Sequence, residues 1–265
     1  MTSIVLIDGA PVTVDDLLSQ AVTNYGAYSS FRVEGGAVRG LDLHLARLEA
    51  SAVDLFGERV CEARLRDLMR LAVADRPDGW LRVSLFSPEI GVRNPSWRGC
   101  PKVMTVSSPA PAPLAASVRL KVQTYAREEA HLKHTATFGL IRARRAAQDG
   151  GFDDALFVDA NGVISEGSVW NIGFLDGDHI VWPQAPMLAG VAQTLIERGA
   201  AGQGMPCSTE SVRLGDLDRF DGAFICNSAT PACPVSAIGD IIYLPNAART
   251  ARVEAAWMSQ PPQIL

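Results

Sequence analysis

The stretch HLKHTATFGLIRARR, residues 131–145, sets a lysine between two histidines, side chains able to serve as nucleophile, proton carrier or metal ligand. Lys133 stands out by scarcity. The chain has three lysines, Lys102, Lys121 and Lys133, against twenty-one arginines. Arginine can replace lysine as a surface charge, but it does not readily give up its proton to become a nucleophilic amine. Spacing alone leaves two readings of Lys133 open, an attacking amine and a solvated charge. His131 and His134 have the three-residue spacing of two metal ligands on one helical face. No third ligand accompanies them at a suitable distance, and no metal is expected.

Other chemistry-bearing patterns are absent: there is no G-x-G-x-x-G, no G-x-x-x-x-G-K-[ST], no H-E-x-x-H and no G-x-S-x-G. Five cysteines, an odd number without C-x-x-C pairs, indicate neither a disulfide framework nor a zinc site. The net charge of −5 is spread among interspersed acids and bases, which disfavours nucleic acid and membrane surfaces as partners. The opening MTSIVLIDGAPVTVDD has no basic leader, and nowhere do about 18 apolar residues run together, so a cytoplasmic protein is expected.

The elements that must position these side chains follow from the patterning. With 265 residues and 48% hydrophobic content, the chain can bury one large core or two ordinary ones. A strand at 3–7 precedes a hairpin at 28–39 that turns at Glu34-Gly35-Gly36. Leu41, Leu45, Leu48, Ala52 and Leu55 form one helical stripe that ends at Gly57. A helix at 62–74, a strand at 80–86 and a strand from Pro101 follow. The alternating prolines of SSPAPAPLAAS hold 107–117 extended, as an interdomain linker or a long surface loop would be. Beyond it, strands at 118–124, 154–159, 161–166, 170–175, 179–182 and 221–227 alternate with helices at 135–148, 191–199 and 247–258. The expected class is mixed α/β, or α+β, without a doubly wound nucleotide fold.

Four segments in order resemble the class IV, or fold-type IV, aminotransferases, which depend on pyridoxal 5′-phosphate and include branched-chain and D-amino-acid aminotransferases and aminodeoxychorismate lyase. They are GAYSSFRVEGG with LHLARLEASA, LKHTATFGLIRARRAAQDGGFDDALFVDANGVISEGSVWNIGF, MLAGVAQTLI, and ICNSATPACPV. The resemblance implies a two-domain fold: a smaller N-terminal α/β domain at 1–110, a linker at 111–120 and a larger cofactor-binding domain at 121–265. It also implies a cleft site and a homodimer.

By the same resemblance Lys133 holds the cofactor as a Schiff base and moves the substrate's α-proton, and Glu166 keeps the pyridine nitrogen protonated. Arg47, Ser228 and the helix start at Gly190, Val191 and Ala192 receive the phosphate. A substrate carboxylate needs a cation or an amide nest, for which Arg93, Arg127 and the Ala229-Thr230 loop are candidates beside Tyr28. Trp170 and Phe138 would add apolar bulk nearby. Departures weaken a branched-chain assignment: Phe138 stands where those enzymes carry a tyrosine, Ala192 where the family often has threonine, and Ser29 where it has an acid. The expected activity is transfer of an amino group from an amino acid or amine to a 2-oxo acid; the alternative is a lyase that releases pyruvate from aminodeoxychorismate.

Overall fold

A computed structural model describes residues 3–112, 114 and 116–265. It divides into two units, the first Met1–Ala112, Leu132–Ala136 and Pro261–Leu265, the second Pro113–His131 and Thr137–Gln260.

In the first unit β1 (Ile4–Ile7), β2 (Ala10–Pro11), helix α1 (Val14–Val22), β3 (Gly26–Val33), β4 (Ala37–Arg39), α2 (Leu41–Phe56), α3 (Glu62–Val73), β5 (Gly79–Phe86) and β6 (Lys102–Ser108) follow in order. Five of the strands make an antiparallel sheet in the order β2-β1-β6-β5-β3. Alternation in GAYSSFRV sends Ala27, Ser29, Phe31 and Val33 inward and leaves Tyr28, Ser30 and Arg32 half-buried on the other face. The inward side packs on the apolar stripe of α2, with Leu41, Leu45, Leu48 and Ala52 in the same core as Phe31. Two backbone hydrogen bonds of 2.9 Å between Glu34 and Ala37 close the expected turn, where Gly35 and Gly36 have φ of 56° and 73°.

The second unit runs β7 (Val118–Thr124), α4 (Phe138–Asp149), β8 (Asp154–Val158), β9 (Ile164–Gly167), β10 (Asn171–Asp176), β11 (His179–Pro183), α5 (Val191–Ala200), β12 (Cys207–Glu210), β13 (Gly222–Cys226), β14 (Cys233–Ile238), β15 (Ile241–Ile242) and α6 (Ala247–Met258). Its sheet has the order β12-β11-β10-β13-β14-β7-β8-β9, with β15 on β14. β8 is buried at all five positions and pairs parallel to β7 through the α4 crossover, which suits its apolar run ALFV. α5 and α6 pack tightly at Gly199, where a Cβ would come 2.0 Å from the Ala256 carbonyl oxygen. The last strand, β16 (Pro262–Ile264), returns to the first unit and pairs with β4.

The segment expected as the linker, 111–120, contains Pro113 and Ala115, which lie outside the described residues, and its last three residues begin β7. Among the described residues no helix is long and apolar enough to cross a membrane.

Candidate active site

Lys133 does not sit on the threshold of a helix. The expected start at Thr135 shifts to Phe138, because the backbone around Lys133 pairs with β3 first. Tyr28 N–H donates to the Lys133 carbonyl at 2.9 Å, Thr135 N–H donates to the Gly26 carbonyl at 2.9 Å, and Ala27 faces His134 as an antiparallel bridge. An extended backbone cannot also supply helical bonds, so the segment is held as a short extra strand on the sheet edge. Its consequence is a fixed lysine: Nζ lies 5.1 Å from the centre of the Tyr28 ring.

The same ring carries a second cation. Arg82 of β5 holds its guanidinium 3.6 Å from the ring centre, and its Nε donates to the buried Ser84 hydroxyl at 3.2 Å. The strand register explains this, since Tyr28 pairs with Ser84 and Ser30 with Arg82. Burial lowers the Arg82 pKa from its ordinary value, and among the described residues no carboxylate lies within ion-pair range of it.

Beneath this face lies His44, one helical turn before Arg47 on α2. His44 is 1% exposed, its Nδ1 lies 2.7 Å from the Ser29 hydroxyl, and its ring centre is 4.5 Å from that of Phe31. Burial, then the charges of Arg47 and Lys133, holds its pKa well below the usual 6.5, so the imidazole is neutral. The first unit thus offers Lys133, Arg47 and Arg82 with a neutral histidine among them.

The second unit supplies the acid. Glu166 of β9 is 3% exposed, and Arg127 places Nη1 3.6 Å from its Oε1, with both side chains buried. Arg127, expected as a substrate ligand, is therefore an ion-pair partner of Glu166.

The EGSVWN run after it is tightly built. Asp154 accepts the Ser168 hydroxyl at 2.6 Å and the Trp170 indole N–H at 3.0 Å. The indole then lies so close over Gly167 that a Cβ there would meet it at 2.2 Å. Asn171 donates to the Leu188 carbonyl at 2.9 Å, and a Cβ on Gly190 would come 1.9 Å from its Oδ1. That contact seats the loop leading into α5, whose first turn has no side-chain cap.

The remaining expectations divide. Ser228 and Ala229 follow β13, half-buried, and Thr230 is 6% exposed. The proposed nest differs from expectation: the Ala229 and Thr230 amides both donate to Asn227 Oδ1 at 2.9 Å. Arg93 is on an exposed loop closed by a Gly91–Asn94 bridge. Phe138 is 73% exposed, and Trp170 packs down on Gly167. Sequence reading missed Arg82, His44 and Asn227. Period-2 reading of WLRVSLF puts Arg82 and Ser84 on one face, but the register that brings Arg82 to Tyr28 lies in the strand pairing, whereas the H-x-x-R spacing already put His44 near Arg47.

The sequence profile described as amino-transferase class IV matches residues 26–238. A probable branched-chain-amino-acid aminotransferase of Rickettsia felis is 30% identical over 90 residues, a match spanning 34% of this chain and 31% of that protein. A branched-chain aminotransferase from Thermoproteus uzoniensis, solved with norvaline, superposes with a TM-score of 0.83 at 20% identity, covering 98% of this chain and 99% of its own. A fold IV transaminase from Curtobacterium pusillum gives 0.77 at 23% identity, with coverages of 95% and 89%. A hypothetical aminotransferase from Mycobacterium tuberculosis in a PLP-bound form gives 0.78 at 20%, with coverages of 98% and 100%. These structural likenesses establish the fold.

Proposed function

The chain belongs to the class IV aminotransferases, and on that footing we propose that it moves an amino group from an amino acid or amine to a 2-oxo acid, with pyridoxal 5′-phosphate as cofactor. The observation that carries this is Lys133, fixed on the edge of β3 with its amine toward Tyr28 and with Arg47 in the same unit.

The donor set fits the cofactor in kind. In the second unit, glycine at 190 keeps the entry to α5 clear where any side chain would strike Asn171, leaving two amides of the kind that take a phosphate; in the first unit, Arg47 is a fork of the kind that takes the same charge. Bound pyridoxal phosphate supplies an aldehyde that takes up amines and a protonated ring that draws electrons from the substrate's α-carbon. Lys133 would hold that aldehyde and take the proton from the substrate α-carbon. Glu166 would hold a proton at the ring nitrogen, and the Asp154 clamp keeps the run after its strand in place. Arg82 would receive the substrate carboxylate in place of Arg93 or Arg127, because it is a half-buried cation with no carboxylate partner among the described residues.

Family membership and structural neighbours named as aminotransferases do not favour the lyase alternative. A homodimer goes with the reading, supported by α1, which turns Val14, Leu17, Leu18 and Val22 to solvent at 84%, 45%, 59% and 73% exposure. A cytoplasmic setting is supported by Cys61 and Cys100, exposed thiols without a disulfide.

The test offers the holoenzyme D- and L-amino acids, simple amines and aminodeoxychorismate, each with a 2-oxo acid. Conversion of the 2-oxo acid to its amino acid is expected with at least one donor, and none with Lys133→Ala. Pyruvate from aminodeoxychorismate, with no transfer from any donor, would replace the transferase by the lyase.

A further inference from the structure

Among the described residues, α1 and α4 are the only helices that expose more than one large apolar side chain. On α1 these are Val14, Leu17, Leu18 and Val22, at i, i+3, i+4 and i+8, and the helix buries no residue. On α4 they are Phe138 and Ile141, and the same stripe continues at i+4 and i+7 through Arg142 and Arg145, both exposed. The opposite side of α4 belongs to the core: Leu140, Ala143 and Ala147 are buried, and Arg144 Nε lies 3.5 Å from Asp154. The two stripes also differ in sign. α1 has no basic residue, and its acids are Asp15 and Asp16. Asp16 pairs with Lys102 at 3.0 Å, while Asp15 is exposed and precedes Leu18 and Val22 by three and seven positions, on the margin of the apolar stripe.

We propose that the α1 face of one chain docks antiparallel on the α4 face of a second copy. The proposal rests on the homodimer reading above and names the surfaces that make it. The exposed acid of α1 lies in its first turn, and the exposed arginines of α4 follow Phe138 and Ile141 toward its end. Laid antiparallel, Asp15 meets Arg145 and Val22 meets Phe138; laid parallel, Asp15 would meet Phe138 and the arginines would meet Val22. α1 on a second α1 would leave Asp15 without a cation, and α4 on a second α4 would leave both arginines without an acid. Affinity comes from Leu17, Leu18, Phe138 and Ile141 leaving water together, and direction from the charges at the rim. α1 has nine residues and is about 14 Å long, so the pair anchors a larger interface.

Sedimentation velocity of the holoenzyme over a dilution series reads the dissociation constant. Leu18→Asp and Ile141→Asp lie at positions 59% and 63% exposed, so their thermal melts should stay near the wild type's. Each should raise the dissociation constant by about thirtyfold or more, the scale of an apolar residue at the centre of an interface. Mixing the two variants identifies the partner face. The mixture keeps one intact pair, the α1 of the Ile141→Asp chain on the α4 of the Leu18→Asp chain, and should assemble more tightly than either variant alone. If α1 instead faced a second α1, Ile141→Asp would assemble like the wild type and the mixture would gain nothing. Either result overturns the proposal.

The direction of docking has its own readout. Asp15→Arg and Arg145→Asp should each weaken assembly by about threefold or more, and the chain carrying both should recover, because the reversed charges still meet. A double variant no tighter than the single ones would overturn the antiparallel pairing. A wild-type protein that stays monomeric throughout the dilution series would remove the homodimer reading and this proposal together, while amino transfer is judged by its own assay.

Discussion

His44 puts a titratable group where protonation is least welcome, enclosed in the core and facing the charges of Arg47 and Lys133. The folded chain refuses a proton that the unfolded chain accepts below the ordinary value of 6.5, so this residue's stabilisation is complete above that value. It is lost progressively as pH falls from there toward the lower folded value. Urea midpoints measured at about pH 7.5 and about pH 5.5 should fall more for the wild type than for His44→Gln; equal falls would remove His44 from the account. Gly167→Ala makes a second case, because its Cβ would lie 2.2 Å from the Trp170 indole. It should destabilise by about 1–3 kcal/mol, the range for overpacking, and disturb Glu166 one position away. Thermal melts and cofactor retention would check both effects. Lys133, Glu166, Arg47 and Gly190 could be singled out as candidates only through the family resemblance, whose motif spacing travels with local backbone. Arg82 could not, since it reaches Tyr28 only across a strand pair, and one strand's pattern does not carry the register. The Asn227 bonds were hidden for a different reason: a side chain that folds back on its own loop leaves no periodic trace.

Strands and helices with one clear face were legible. The α2 stripe, the β5 run and the helix at 247–258 appear within a residue or so of where patterning put them. α1 escaped, although Thr13-Val14-Asp15-Asp16 is a capping box, because its apolar side faces solvent and contributes no buried residue. Thr13→Ala should therefore weaken α1 locally by about 1 kcal/mol with little effect on the global melt. Faster amide exchange confined to residues 14–22 would bear this out. The clamp behind β9 belongs to the opposite class. Asp154 is 5% exposed and holds Ser168 and Trp170 from β8, so Asp154→Ala would leave two buried donors unanswered. A loss of about 2–4 kcal/mol is expected, at about 1–3 kcal/mol for each orphaned donor with partial relaxation. A melt unchanged by the substitution would show the clamp to be incidental.

At the scale of the whole molecule, the two units are interleaved along the chain. The chain passes from the first unit to the second after residue 112, comes back for 132–136, leaves again, and returns for 261–265. Those last residues are well fastened: β16 pairs with β4, Leu265 is 3% exposed, Arg70 donates to the Leu265 carbonyl at 2.7 Å, and Gln263 accepts from Asp42 N–H at 2.9 Å. Deleting 261–265 should lower the first unit's stability by several kcal/mol, of the order of one fully buried leucine together with its hydrogen bonds. Limited proteolysis would then cut first within 3–112; resistance equal to the wild type would contradict it. A boundary drawn from composition near the prolines could not show these returns, because Leu132–Ala136 and Pro261–Leu265 owe their membership to pairing with distant strands. The return of β16 also sets a timetable during synthesis. Domains usually fold as they leave the ribosome, first made first folded. Here the earliest-begun unit stays unsealed along β4 until β16 has been added, so the sheet that receives the Lys133 strand belongs to the part first started and last closed. A ribosome that stalls before residue 262 releases a chain that proteases can recognise as unfinished.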